Sequence, residues 1–418
     1  MNPGTPTRKI IVLALGSDGD INPMIAIATQ LQMQGRKVEF LASGYFEERV
    51  KQAGLDFCPV GDRSLYERAL KQKDVWHPYN AFKAMWKIMS ETIPITYEVL
   101  KSRYAPGDLV VGTSLALAAR MLKEKSGAKF VSVHLQPSIT ISAYTPPVGP
   151  PGALPKGLPL PLKQLYVNML DRFLLDAACR DDLNRFRQTI GLPPIKSIFT
   201  KWIHSPDLVI MAWPEWFAPP QPDWPENSLC TAFPVFEHGS TAEISEETAA
   251  FLKAGSAPII FTAGSAMAQG AEHFSCAAEA LRNQPLRGIF VCKFRETLPS
   301  NLPPNIHHSS YEPFDKLFPL ASAVQHHGGI GTSIQAMLAG KPQLVTPFAH
   351  DQFDNAVRLE ELGIAKTMRT KNSNLWRRKL MNLLANPKTQ VACEQIKNRL
   401  LSDGRPIETI TNQILRLE

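Results

Sequence analysis

Between Gln325 and Asn355 the chain reads QHHGGIGTSIQAMLAGKPQLVTPFAHDQFDN, and the residue types in it suit a phosphate-bearing ligand. Glycines 328, 329 and 331 remove side chains where an apolar run gives way to helical spacing, so a ligand can approach the backbone closely. Thr332 or Ser333 suits the N-cap of the helix IQAMLA, and Gly340 suits its end. The free N–H groups and partial positive charge at that N-terminus favour a phosphate, and a histidine adds a donor able to bear charge. After the next apolar run, Asp351 and Gln352 supply polar groups for the far end of the same ligand. A glycine-rich turn alone is weak evidence for a phosphate site; followed by AHDQFDN it is far more specific.

A second group of reactive side chains lies near the N-terminus. GSDGDINP places Asp20 just beyond the first apolar run, where a carboxylate can act as a general base. Capping a helix that begins near Pro23 is the structural alternative for Asp20, and Asp18 reads as a turn residue held in reserve. His134 ends another apolar run, on the same side. VWHPYNAFKAMWKIM gathers Trp76, Tyr79, Phe82 and Trp86 near Met85 and Met89; such a patch suits an apolar channel, a membrane contact or ordinary core.

The elements that must position these residues form two similar series. Residues 9–15, rich in Ile, Val and Leu, and KVEFLAS are strands joined by helical spacing over 23–34, a β-α-β unit whose right-handed crossover makes its strands parallel. DLVVGTS (108–114) and KFVSVHL (129–135) continue that sheet, separated by a helix over 115–126. APIIFTAGSA (257–266) opens a second series, with a helix from about 271 and strands at 287–294, 321–327 and 342–348. Seven prolines between 146 and 161 make that stretch a loop, either a lid or a passive excursion. The spacing therefore predicts two doubly wound α/β sheets joined near 233–257.

Composition bounds the rest. A chain of 418 residues suggests two domains of roughly 200 each. No apolar run approaches the roughly 20 residues that cross a bilayer, and the N-terminus carries no signal-peptide pattern. Six cysteines without C-x-x-C spacing point to neither a disulfide framework nor a zinc site. The net charge of +7 favours anionic ligands or an anionic surface but forms no nucleic-acid-binding arm, and the basic stretch LWRRKLMNLL reads as a solvated helix face. The expected location is cytoplasmic, with a peripheral contact at the inner face of the membrane left open.

HHGGIGT…AGKPQLVTPFAHDQFDNA resembles the donor-binding signature of the family-one glycosyltransferases, enzymes of the GT-B fold. GSDGDINP resembles their acceptor-side motif, and CTAFPVFEHG followed by FLKAGSAPIIFTAGSA resembles the interdomain passage of the bacterial branch. The likeness covers essentially the whole chain and is strongest over 255–365. Within the family the sequence looks most like bacterial rhamnosyltransferases that make rhamnolipids, and is more distantly similar to sterol and antibiotic glycosyltransferases.

That resemblance implies two Rossmann-like, doubly wound parallel-sheet domains facing across a cleft. Residues 1–235 would bind the acceptor, 236–400 the nucleotide-sugar donor, and 401–418 would form a helix crossing back to the first domain. His327 would hold the donor diphosphate, with Gly329, Gly331 and Thr332 at the phosphate turn and Ser265 nearby. Asp351 and Gln352 would bind sugar hydroxyls, and Tyr311 in YEPF would stack on the base where many relatives use Trp. His326 stays open between a donor contact and packing. Plant relatives carry Glu four residues after the position of Gly331; here Gln335 stands there, a poorer acceptor for a ribose diol, which favours dTDP over UDP. Many relatives use a histidine base in G-H-x-x-P, supported by a later aspartate. This chain has GDINP and VVGTS at those places, agreeing with the antibiotic branch, in which an aspartate, here Asp20, is the proposed base.

The expected activity is inverting, metal-independent transfer of a hexose, rhamnose from dTDP-rhamnose, to a hydroxyl of a hydrophobic, lipidic acceptor bound near His134, Trp76 and Trp86. Glucosyl transfer from UDP-glucose to a sterol or aromatic aglycone is the alternative. No cofactor beyond the nucleotide-sugar co-substrate, no metal and no nucleic acid is expected. A sugar-nucleotide epimerase and a non-catalytic binding subunit are the rivals from other classes; a dinucleotide oxidoreductase would need a G-x-G-x-x-G turn that GSDGDI does not supply.

Overall fold

The computed structural model describes residues 8–234, 243–264 and 270–418. The apolar runs of the first half become β1 (Lys9–Leu13), β2 (Lys37–Ala42), β3 (Asp56–Pro59), β4 (Leu109–Thr113), β5 (Lys129–His134), β6 (Leu208–Met211) and β7 (Ser228–Cys230). They form one parallel sheet in the order β3-β2-β1-β4-β5-β6-β7. Both faces are covered, as an all-parallel sheet requires. Ile10, Val12 and Val131 pack on one face with Ile25 and Phe40, while Ile11, Leu13 and Phe130 pack on the other with Tyr97 and Leu117.

The second half repeats the plan with β8 (Ile259–Thr262), β9 (Gly288–Val291), β10 (Ile306–Ser309), β11 (Ala323–His326), β12 (Gln343–Val345) and β13 (Ala365–Thr367). Their order is β10-β9-β8-β11-β12-β13, again all parallel. In each sheet the chain starts in the middle and builds outward in both directions. The strand order therefore reverses between β1 and β4, and between β8 and β11, which opens a crevice beyond their C-terminal ends. Asp20 and Ser114 follow the first pair; Gly264 and His327 follow the second.

Three connections tie the halves together. Val209, Met211, Trp213 and Phe217 form one apolar cluster with Ile334, Met337, Leu359, Ile396 and Leu400. The proline-rich segment reaches over to the Gln352–Glu361 helix: the Val148 N–H donates to Asp354 Oδ1 (3.1 Å), and Lys156 pairs with Glu361 (3.0 Å). The final helix, Pro406–Leu415, returns to the first half, where Ile410 and Ile414 are wholly buried with Ile21 and Leu31. The expected boundary at 235/236 lies outside the described residues.

The first helix departs furthest from its expected bounds. It runs Asp18–Met33 rather than from Pro23, because Ser17 and Asp20 close a capping box and start it a turn and a half earlier, leaving Pro23 inside.

Candidate functional site

The residues expected to bind the donor gather at the ends of β8, β11 and β12. The chain leaves β11 through His326, whose ring Nε2 meets Gln343 Oε1 (2.8 Å) and whose Nδ1 accepts from the Gly328 N–H (3.0 Å). His326 is thus a buried structural residue that holds the turn, which resolves its two open readings in favour of packing. The next side chain, His327, lies in a slot between two glycines. A Cβ at Gly264 would come within 2.7 Å of the ring and one at Gly329 within 2.3 Å, and Gly264 also has φ +91. Only glycine fits both walls. Burial, then the neighbouring His326 and His273, push His327 down to about 3, so it is neutral at ordinary pH and offers an N–H rather than a charge. Its Nδ1 is buried, with no hydrogen-bond partner among the described residues.

The following helix, Ile330–Leu338, is capped by Gly329, not by Thr332 or Ser333 as its sequence suggested. Ser333 is buried, and its hydroxyl bonds back to the Gly329 carbonyl (3.0 Å). Among the described residues no side chain caps this N-terminus, which leaves its first N–H groups available to an anion. A Cβ at Gly331 would meet nothing within 4 Å, which places that position against open space, and Thr332 and Gln335 are partly exposed on the same helix.

Beyond β12, Asp351 caps the Gln352–Glu361 helix and accepts a hydrogen bond from Asn355 Nδ2 (2.7 Å). The same amide donates to the Gly328 carbonyl (2.9 Å), so Asn355 fastens the carboxylate to the histidine turn. Burial raises Asp351 to about 7, and Asp20 across the cleft pushes the same way. Gln352 Oε1 is committed to the Phe348 and Ala349 N–H groups (2.7 and 3.1 Å), leaving only its amide nitrogen for a ligand. His350 adopts φ +57, and its ring lies edge-on to Trp76 at 5.7 Å. Tyr311 follows β10 and is 58% exposed, free to offer a ring face. Ser265 lies outside the described residues.

On the first half, where the acceptor is expected, Asp20 occupies the third position of the first helix. The Ser17 N–H donates to its Oδ2 (2.8 Å), while Oδ1 makes no hydrogen bond among the described residues. A Cβ on Gly16, itself at φ +129, would collide with this carboxylate. Burial raises Asp20 to about 6 against the lowering by the two Ser17 hydrogen bonds, and Asp18 adds to the rise. Asp18 is ion-paired with Arg49, which removes it as a reserve base.

Three expected acceptor contacts are corrected by packing. His134 is fully buried with both nitrogens engaged: Nδ1 with the Ser114 hydroxyl (2.8 Å) and Nε2 with His204 Nδ1 (2.9 Å). It has no atom left for an acceptor, although Ser114 in front of it stands at the end of β4. Trp86 is 2% exposed, donates to Asp182 Oδ2 (3.2 Å) and packs on Phe199, so it is core. Trp76 reaches the other half instead, against His350 and beside the donor-side core. Sequence reasoning missed Asn355, His350 and the Ser114 and His204 partners of His134, and read Gly264 only as part of a glycine turn; AHDQFDN contained the first two, and nothing local signalled the two partners.

Family descriptions match both halves: "Glycosyltransferase family 28 N-terminal domain" over residues 10–145 and "Erythromycin biosynthesis protein CIII-like, C-terminal domain" over 290–416. The chain is 29% identical to glycosyltransferase GtfE of Amycolatopsis orientalis over 402 residues, covering 95% of each chain. Its structure resembles the glycotransferase of kitacinnamycin (TM-score 0.78, 16% identity, 99% of both chains). It also resembles the spinosyn rhamnosyltransferase SpnG complexed with thymidine diphosphate (TM-score 0.68, 16% identity, 97% of this chain and 99% of that one). The chain is therefore a glycosyltransferase of the GT-B fold. It belongs with the family-one type of these enzymes, and its likeness runs to antibiotic glycosyltransferases without singling out the rhamnolipid type.

Proposed function

We propose that this enzyme transfers rhamnose from dTDP-rhamnose, with inversion, to a hydroxyl of a hydrophobic, lipidic acceptor. The observation that carries the reading is the opposition of Asp20, on the acceptor half, to the His327 slot and Asp351 on the donor half. Asp20 Oδ1 takes the proton of the acceptor hydroxyl as its oxygen attacks the anomeric carbon. The bond from that carbon to the diphosphate oxygen breaks on the opposite side. A base held near 6 is mostly deprotonated at neutral pH yet basic enough to share a proton in the transition state. The charge developing on the diphosphate meets the free N–H groups of the Ile330–Leu338 helix and a donor from His327, so no metal is called for in the reading.

Asp351, with the Gln352 amide nitrogen, fits sugar hydroxyls, and Tyr311 fits the base. Gln335 supports dTDP, since an amide oxygen serves a ribose diol less well than a carboxylate. The nucleotide sugar is a co-substrate, and no other cofactor enters. The reading puts the protein in the cytoplasm, with peripheral contact at the inner face of the membrane.

Calorimetric titration with dTDP and UDP in parallel tests the donor. Tighter dTDP binding is expected. Tighter UDP binding would move the donor to UDP-glucose and the acceptor to a sterol or aromatic aglycone, and binding of neither would remove the assignment of the histidine turn.

A further inference from the structure

Of the expected membrane patch, Trp76 and Trp86 are taken up by interdomain packing and core and only Tyr79 stays well exposed, but a different surface is left apolar. The Leu160–Leu170 helix continues through the wider turn Asp171–Leu175 into the Asp176–Thr189 helix. Its inward side is complete: Val167, Leu175, Cys179 and Leu183 are buried. Its outward side carries Leu162, Leu165, Met169 and Phe173, spaced three or four residues apart so that they align in one stripe. They are 49%, 55%, 52% and 66% exposed, and Leu160 and Leu174 widen the stripe. A surface in water carries large apolar side chains singly, so a contiguous row of this kind marks a contact surface.

Charge at the rim selects the partner. Arg172 lies over the Phe173 ring, and Lys163 stands on the same helix. Asp171, the one acidic residue between 157 and 175, is turned inward, accepting from Ser197 Oγ (2.7 Å) and Thr200 Oγ1 (2.8 Å). That bonding holds the Ser197–Thr200 turn, flanked by the exposed Lys196 and Lys201, beside this helix. Among the described residues none of these four cations is ion-paired, while the neighbouring Arg180 and Arg185 pair with Asp181 and Asp182.

We propose that the stripe Leu162–Leu165–Met169–Phe173, with its rim of Lys163, Arg172, Lys196 and Lys201, seats this enzyme on an anionic bilayer surface. An apolar helix face with basic flanks lies in the headgroup boundary, its cations on the lipid phosphates. A second copy of a chain of net charge +7 would bring the same uncompensated positive rim against itself, which disfavours self-association there. This gives the membrane contact of the proposed reading a definite surface, and it does not depend on the identity of the sugar.

The test is co-sedimentation of the full chain with vesicles of phosphatidylcholine, alone or mixed with phosphatidylglycerol. Wild type is expected to sediment with the anionic vesicles, less with the neutral ones, and less as salt is raised. Leu165→Gln/Phe173→Gln should weaken binding at least about tenfold, and Lys163→Gln/Arg172→Gln by about fivefold for each charge removed. Both variants should keep wild-type dTDP affinity and sugar transfer to a short-chain soluble acceptor, which reports on the fold and on the activity separately. If wild type ignores anionic vesicles, the membrane contact itself fails. If both variants sediment like wild type, only this surface fails. A wild-type dimer that Leu165→Gln/Phe173→Gln converts to a monomer, without vesicle binding, would make the stripe a self-interface and overturn the proposal.

Discussion

In the proposed reading Asp20 carries two duties on two oxygens. Oδ2 belongs to the capping box, and Oδ1 is left for chemistry. An amide at this position can still accept from the Ser17 N–H through its carbonyl oxygen but cannot take a proton. Asp20→Asn should therefore lower kcat by about 10²–10⁴-fold while leaving the dTDP dissociation constant and the melting temperature near wild type. In wild type the rate should rise with pH through the region near 6, where the carboxyl loses its proton, and kcat/KM measured from pH 5 to 8 checks this limb. Unchanged transfer by the Asn variant would reduce Asp20 to its capping duty. GSDGD made this residue visible in the sequence, since an acidic side chain after a buried strand is a local pattern. Its partner across the cleft was half visible: AHDQFDN pointed to Asp351, but only the fold reveals that Asn355 ties it to Gly328.

Among the elements, the closing helix Pro406–Leu415 does the most for the least length. Ile410 and Ile414 complete the core of the half to which they are not joined in sequence. Ile410→Ala should cost about 2–5 kcal/mol, read by denaturant unfolding, and should destabilise the first half before the second, as hydrogen exchange over β1 and β2 would register. The strands with long Ile, Val and Leu runs are legible in the sequence itself, because burial on both faces forces that composition. The strands β3, β7, β10 and β13 are not: they are three or four residues long and carry polar or proline residues such as Pro59 and His307, and the four-residue apolar run of β6 also went unread. Pro23 misled in a specific way, since proline commonly occupies the first helical position and here sits beyond it. The aromatic patch misled for a different reason. Helical spacing shows that Trp86 has a face, but Asp182 and Phe199, which cover that face, are about a hundred residues away. His134 likewise meets His204 only after β5 and the segment before β6 come together.

At the scale of the whole molecule, buried titratable groups set the response to acid. His134, His204, His273, His326 and His327 are all held below the ordinary histidine range by burial, the last four at about 4, 4, 4 and 3. Below about pH 6.5 the unfolded chain binds protons on these residues and the folded chain does not, so acidification favours unfolding. Asp20 and Asp351, raised to about 6 and 7, act in the opposite sense: the folded form binds their protons more readily, a contribution lost as pH rises through those values. Five histidines outweigh two carboxyls, and the melting temperature should fall between pH 7 and pH 5; a flat or rising profile would contradict this balance. The path of the backbone has a mechanical result as well. It passes from the first sheet to the second between Cys230 and Ile259 and returns with the last helix, so two tethers join the halves. Two tethers define a line rather than a point. Any movement of one half on the other would then turn about that line instead of swivelling freely, carrying Asp20 toward or away from Asp351 along one path.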